Sequence, residues 1–235
     1  MGLYDRDYYR NAPPPRAFGA LRAWSVTTWL IAINVAVFLL DALTRGKLSL
    51  LGYFSQTLAV NNLEIWRFIT FQFLHANLEH IGFNMISLYF FGPIVENHLG
   101  SRRYLAFYLL SGIGGAAMYL LLLLFGFMHN PADALVGASA GIFGILIAST
   151  RVAPNATVIM MLLPIPMKLR TMAWIMVGIA VYTVIFHGRN AGGEAAHLGG
   201  AAVGYVLIQW PQLLAVFDAW PSRRRRGPRP PSSWG

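Results

Sequence analysis

Six long apolar stretches follow one another along this chain, at about residues 24–42, 80–98, 103–127, 134–152, 170–187 and 195–215. A helix needs roughly 20 mostly apolar residues to cross a bilayer, so the pattern predicts six transmembrane helices in an all-α polytopic membrane protein. The second and fourth stretches are diluted by Asn84, Glu96 and several glycines. Residues 43–79, between the first two spans, hold Leu63, Ile65, Trp66, Phe68, Ile69, Phe71, Phe73 and Leu74. That segment is too apolar for a solvated loop and too interrupted for a span. It reads as a partly membrane-embedded outer loop, with Trp66 at headgroup depth and Arg67 snorkelling outward.

Composition agrees with the pattern. Of 235 residues, 56% are apolar and 11% charged, with a mean hydropathy of +0.52; a soluble domain carries roughly 25% charged residues. One membrane domain over 23–216 is expected, between basic, disordered tails at 1–22 and 217–235. The net charge of +9 would suit nucleic acid, but most basic residues flank apolar segments, so anionic lipid headgroups are the expected partner and nucleic acid is not. With both termini in the cytoplasm, that side holds Arg6, Arg10, Arg16, Arg22, Arg102, Arg103, Arg151, Lys168, Arg170, Arg223, Arg224, Arg225, Arg226 and Arg229. Only Arg45, Lys47, Arg67 and Arg189 fall outside, a distribution that follows the positive-inside rule. The first apolar run follows a basic stretch, as in a signal peptide, but no small-residue cleavage site follows Asp41, so a retained span is expected. With no transit peptide and no large appended domain in view, a bacterial plasma membrane is the expected location.

The absence of cysteine excludes disulfides, thiolate metal sites and cysteine nucleophiles. No nucleotide-binding loop is present, so neither ATP nor a cofactor is expected.

Two polar residues stand just inside apolar runs, where ionisable or nucleophilic groups signal function. They are Ser139, in Gly137-Ala138-Ser139-Ala140-Gly141, and His197, in Ala195-Ala196-His197-Leu198-Gly199-Gly200. If the fourth span enters near Leu135 and the sixth near Ala195, both from outside, Ser139 lies about 6 Å in and His197 about 3–5 Å in. Gly137, Ala140, Gly141 and Gly144 on one span, and Gly199, Gly200, Ala201 and Gly204 on the other, would let the helices approach closely. A serine within reach of an imidazole is a nucleophile with its base. Taken singly, Ser139 also fits ordinary small-residue packing and His197 a structural interface histidine.

His80 and Asn84 are four apart on the second span and share one helix face. At that depth they would donate to a developing oxyanion, although each alone also fits a helix–helix hydrogen bond. All nine Asp and Glu residues fall outside span interiors or at span ends. Glu194 is three residues before His197 and could reach back towards it, but at the rim it is expected to be solvated, leaving a dyad. A zinc site on His75, Glu79 and His80 is disfavoured, because five residues place the two histidines about 140° apart on a helix, unlike His-Glu-x-x-His. A transporter reading lacks an internal repeat or a set of intramembrane charges.

These residues resemble the rhomboid family of intramembrane serine proteases over about residues 60–210. Trp66-Arg67 is similar to the family's outer-loop motif, and His75, His80 and Asn84 to its His…His…Asn segment. Gly92-Pro93-Ile94-Val95-Glu96-Asn97-His98-Leu99-Gly100 resembles its Gly-x3-Glu-x3-Gly stretch. Gly137-Ala138-Ser139 resembles the nucleophile motif, and Ala196-His197-Leu198-Gly199-Gly200 the Ala-His-x-x-Gly motif. The resemblance implies a six-span bundle in which Ser139 attacks a peptide carbonyl and His197 takes its proton. It implies an oxyanion hole of His80, Asn84 and the Ser139 amide, a mainly structural His75, and membrane-spanning proteins as substrates. The site would open to the outer side. Ala140 stands where many members have glycine, and Phe143 where many active members have tyrosine; Phe143 can stack on His197 but offers no hydroxyl. A catalytically silent relative that binds or escorts membrane proteins is the alternative, though such relatives usually lose the serine or histidine and both remain here.

Overall fold

A computed structural model describes residues 24–128, 130–159 and 165–219. Of the tails expected at 1–22 and 217–235, residues 1–22 and 220–235 lie outside the described residues, whereas 217–219 are ordered at the end of a 3-10 helix, Pro211–Ala219. The six apolar stretches are all helical: α1 (Val26–Leu43), α4 (Leu78–Leu99), α5 (Ser101–Leu124), α6 (Ser139–Val152), α7 (Leu169–Ile185) and α8 (Ala191–Gln209). Two short helices, α2 (Lys47–Gly52) and α3 (Arg67–Thr70), break up the long connection between α1 and α4. The fold is mostly helical without being all-α. Between α6 and α7, β1 (Thr157–Ile159) pairs antiparallel with β2 (Pro166–Lys168), Val158 opposite Met167; three-residue strands are too short to leave a periodic signal.

By length and composition, α1 and α5 can each cross a membrane. A third crossing exists if α8 and the 3-10 turn after it, bent by 82°, are one span. The helices α6 and α7 are apolar but shorter.

Local sequence explains the helix ends. Ser25 caps α1 by accepting from the Thr28 amide at 3.1 Å, and Asn77 caps α4 by accepting from the His80 amide at 2.8 Å; such caps satisfy amides that have no intrahelical partner. Gly100, at φ +78°, turns the chain from α4 directly into α5, a conformation glycine adopts at little cost. Near this corner Glu96 ties three helices together. Its carboxylate accepts from the Val26 amide at 2.7 Å, the Thr27 amide at 2.9 Å, the Thr27 hydroxyl at 2.8 Å and Ser101 Oγ at 2.8 Å. The acid of the Gly-x3-Glu-x3-Gly stretch is thus a structural anchor.

The interior is organised around α6, which buries nine of its residues from Ala140 to Ser149 and packs against α4, α5, α7 and α8. Its neighbours come close because their facing residues are small. A Cβ on Gly115 of α5 would stand 2.6 Å from the Ala140 side chain and 2.7 Å from the Ala196 carbonyl oxygen. A Cβ on Gly204 of α8 would collide with the Gly144 backbone. Backbones this close gain dispersion contacts with no bulky side chain between them.

The connection between α1 and α4 is tied down by Arg67, and here the expectation fails. Arg67 does not snorkel outward; it is 4% exposed. Its guanidinium donates to the carbonyls of Tyr53 at 2.6 Å and Leu50 at 3.1 Å, pairs with Glu64 at 2.6 Å, and lies 5.1 Å from the Tyr53 ring centre. Loop carbonyls without a helical partner must be satisfied somewhere, and five fixed donors on one side chain do so efficiently. Trp66, half exposed, donates to the Leu51 carbonyl at 3.2 Å.

Candidate active site

Ser139 is the first residue of α6, not a residue one turn inside it. The helix expected from residue 134 is preceded by extended chain in which Leu135 pairs with Phe54 through two backbone hydrogen bonds of 3.0 and 2.7 Å. The Gly137 amide then donates to the Phe71 carbonyl at 2.9 Å. Fourteen helical residues span only about 21 Å, against a hydrocarbon core of roughly 30 Å. Non-helical backbone in a membrane protein is tolerated where protein buries it, and Gly137 and Ala138 are buried.

Gly137 adopts φ +127°, a region L side chains rarely enter. A Cβ there would lie 2.7 Å from the His80 ring. The glycine therefore makes room for His80 beside the start of α6, and the same point is 3.5 Å from Ser139 Oγ.

His197 belongs to the second turn of α8, which begins at Ala191, four residues earlier than expected, after Asn190 in the left-handed conformation. Its Nε2 lies 2.7 Å from Ser139 Oγ. Phe143, one turn after the serine, stacks on the imidazole with centroids 4.2 Å apart and planes 9° from parallel. The structure thus brings Ser139, His197 and Phe143 together.

Glu194 departs from expectation. The longer α8 puts it on the same face as His197, and its Oε2 lies 2.9 Å from His197 Nδ1. The two side chains are 20% and 15% exposed, so the carboxylate is largely withdrawn from solvent rather than solvated at the rim. The i,i+3 spacing was the available signal; the start of the helix, set by Asn190, was not legible.

Asn84 is buried, and its Nδ2 has no hydrogen-bond partner among the described residues. An amide donor buried without a partner costs about 1–3 kcal/mol, which makes it a candidate for a group that binds substrate. His75 packs edge-to-face on His80 at 5.1 Å. It lies between the short helical turn at residues 71–73 and α4, outside the spans, and burial, reinforced by neighbouring His80, pushes its imidazole down to about 4. Among the described residues no cluster of three His, Asp or Glu side chains is arranged to hold a metal ion.

The beginning of α6 supplies the remaining chemistry. The first amides of a helix have no intrahelical acceptor and point along its positive end, so the Ser139 amide faces the space beside its own hydroxyl. A serine hydroxyl at hydrogen-bond distance from an imidazole is an arrangement that can serve as a nucleophile with its base.

A family model described as Rhomboid domain matches residues 62–210, and the chain belongs to that family, a family of multi-pass integral membrane proteins. It is 28% identical over 225 residues to RHOMBOID-like protein 12, mitochondrial, of Arabidopsis thaliana, covering 91% of this chain and 60% of that protein. To Rhomboid-like protein 11, chloroplastic, of the same plant it is 31% identical over 201 residues, covering 81% and 66%. To Rhomboid protease AarA of Providencia stuartii it is 28% identical over 207 residues, covering 80% and 73%. The chain thus spans about three fifths of the length of the first of these relatives and two thirds of the second.

Proposed function

We propose that this protein is an intramembrane serine endopeptidase that hydrolyses peptide bonds in or near the transmembrane segments of other membrane proteins. The observation that carries this reading is the 2.7 Å approach of His197 Nε2 to Ser139 Oγ. It is supported by membership of the rhomboid family and by relatives named as proteases.

In the reaction Ser139 Oγ adds to the scissile carbonyl carbon while His197 Nε2 takes the hydroxyl proton. The negative charge that develops on the carbonyl oxygen falls beside the Ser139 amide, with His80 and Asn84 as further donors. His197 then gives its proton to the leaving amine, and the peptide C–N bond breaks. A water, deprotonated by the same imidazole, releases the acyl group and restores the serine. Fixed donors aimed where charge develops need no reorganisation during the reaction. A peptide inside a regular helix has its carbonyls already bonded, so substrates are expected to carry small or helix-breaking residues at the cut.

In this reading the six helices are six membrane crossings, the basic residues keep both termini in the cytoplasm, and the site opens to the opposite side. Relatives named as mitochondrial and chloroplastic make an organellar membrane as suitable a home as a bacterial plasma membrane.

Co-expression with a membrane-anchored reporter tests the assignment. Wild type is expected to cleave it and to be labelled by a fluorophosphonate, whereas Ser139→Ala and His197→Ala do neither. Equal cleavage by Ser139→Ala would remove the serine mechanism.

A further inference from the structure

At the end of α6 remote from Ser139, a groove of about 520 Å³ opens between α6, α7 and α8. Each helix contributes a stripe at helical spacing: Ile147 and Arg151, then Arg170 and Trp174, then Leu198 and Tyr205. The hollow exists because Ala173, Ala201 and Ala202 line it where larger side chains would fill it. Arg151 lies twelve residues after Ser139, about 18 Å along the helix. Arg151 and Arg170 are both exposed, and neither is paired with a carboxylate among the described residues. Trp174 and Tyr205 are 66% and 54% exposed, amphipathic rings suited to the boundary between headgroups and acyl chains.

We propose that this groove binds an anionic phospholipid, its phosphate held between Arg151 and Arg170 and one acyl chain lying along Ile147, Val177 and Leu198. Two unpaired guanidinium groups above an apolar channel match such a molecule in charge and in shape, and a basic pocket between spans recognises headgroups in this way. The chain would end beside Leu198, the neighbour of His197.

The full protein, reconstituted in vesicles of phosphatidylcholine doped with brominated lipid, tests this through the fluorescence of Trp174, isolated by subtracting a Trp174→Phe variant. Brominated phosphatidylglycerol is expected to quench it at a mole fraction roughly ten- to thirty-fold lower than brominated phosphatidylcholine, the preference two interfacial arginines provide. In Arg151→Gln/Arg170→Gln that preference disappears while quenching by phosphatidylcholine persists, which shows the variant is folded and inserted. Equal quenching by both lipids in wild type, or an undiminished preference in the double variant, overturns the proposal.

A separate observation, the 2.9 Å approach of Glu194 to His197 Nδ1, points to Glu194 as a positioning residue for the base, a role that rests on the hydrolase reading above. A carboxylate accepting from Nδ1–H keeps the lone pair on Nε2, the nitrogen facing Ser139, and stabilises the imidazolium formed on proton transfer. The placement of the carboxylates in the sequence led to a dyad; in this reading the chain carries a third member one helical turn before the histidine.

Steady-state cleavage of the reporter by wild type, Glu194→Gln and Glu194→Asp tests it. Removing the acid of a buried triad costs about 10⁴ in kcat, and for this partly exposed carboxylate the Gln variant is expected to lose roughly 10- to 100-fold in kcat with KM unchanged, Asp retaining more. A wild-type kcat in Glu194→Gln, or a loss confined to KM, overturns the role. An inactive, unlabelled wild type strikes instead at the hydrolase reading.

Discussion

Gly200 of α8 faces the carbonyl oxygen of Ala140, the residue after Ser139, so closely that a Cβ on the glycine would overlap that oxygen. The approach draws α8 onto α6 and brings His197 to Ser139. Backbone is the obstacle, so no side-chain rotation relieves the clash. Gly200→Ala is expected to destabilise the fold by about 1–3 kcal/mol, as overpacking of an interior does, and to lower cleavage further by moving the two reacting groups apart. Thermal unfolding and reporter cleavage measure the two effects separately.

Phe143 fixes one face of the His197 ring by parallel stacking. Loss of the ring in Phe143→Ala leaves the imidazole free to turn away from Ser139, and kcat is expected to fall by about tenfold, since small misplacement of a reacting group is costly. Phe143→Tyr keeps the stack and is expected to retain activity. Kinetics on the two variants separate stacking from any need for a hydroxyl.

Asn84 offers a buried amide on α4 whose Nδ2 has no hydrogen-bond partner among the described residues. As an oxyanion donor, its removal in Asn84→Ala is expected to lower kcat by about 10²–10³-fold with little change in KM. As a purely structural amide, its loss would leave kcat intact, so the kcat and KM values decide.

His75 makes folding sensitive to acid. Its imidazole titrates near 4 in the folded protein, against 6.5 ordinarily. Between those values the unfolded chain binds a proton that the folded chain does not, so stability falls as pH falls through that window. Unfolding temperature is expected to drop between pH 7 and pH 5 by more in wild type than in His75→Gln.

The helices were legible because apolar length is a property of the chain itself; Ser139 and His197 stood out because polar residues in small-residue runs are a local pattern, and Phe143 came to notice only through the family resemblance. Arg67 was misjudged because its partners, the carbonyls of Leu50 and Tyr53, belong to the last turn and C-cap of α2, where backbone acceptors without a helical partner leave no mark in composition. Glu194 was misjudged for a related reason: whether it shares a turn with His197 depends on where α8 begins, and Asn190 starts it earlier than hydropathy does.

The sequence by itself determined that the chain is helical, membrane-spanning and equipped with a serine and a histidine in small-residue segments, since periodicity, length and composition are one-dimensional quantities. Only the tertiary structure decided that extended chain through Leu135 and Gly137 delivers Ser139 to the first turn of a short helix. It also placed Glu194 behind His197, because those distances arise from backbones packing across glycines far apart in the chain.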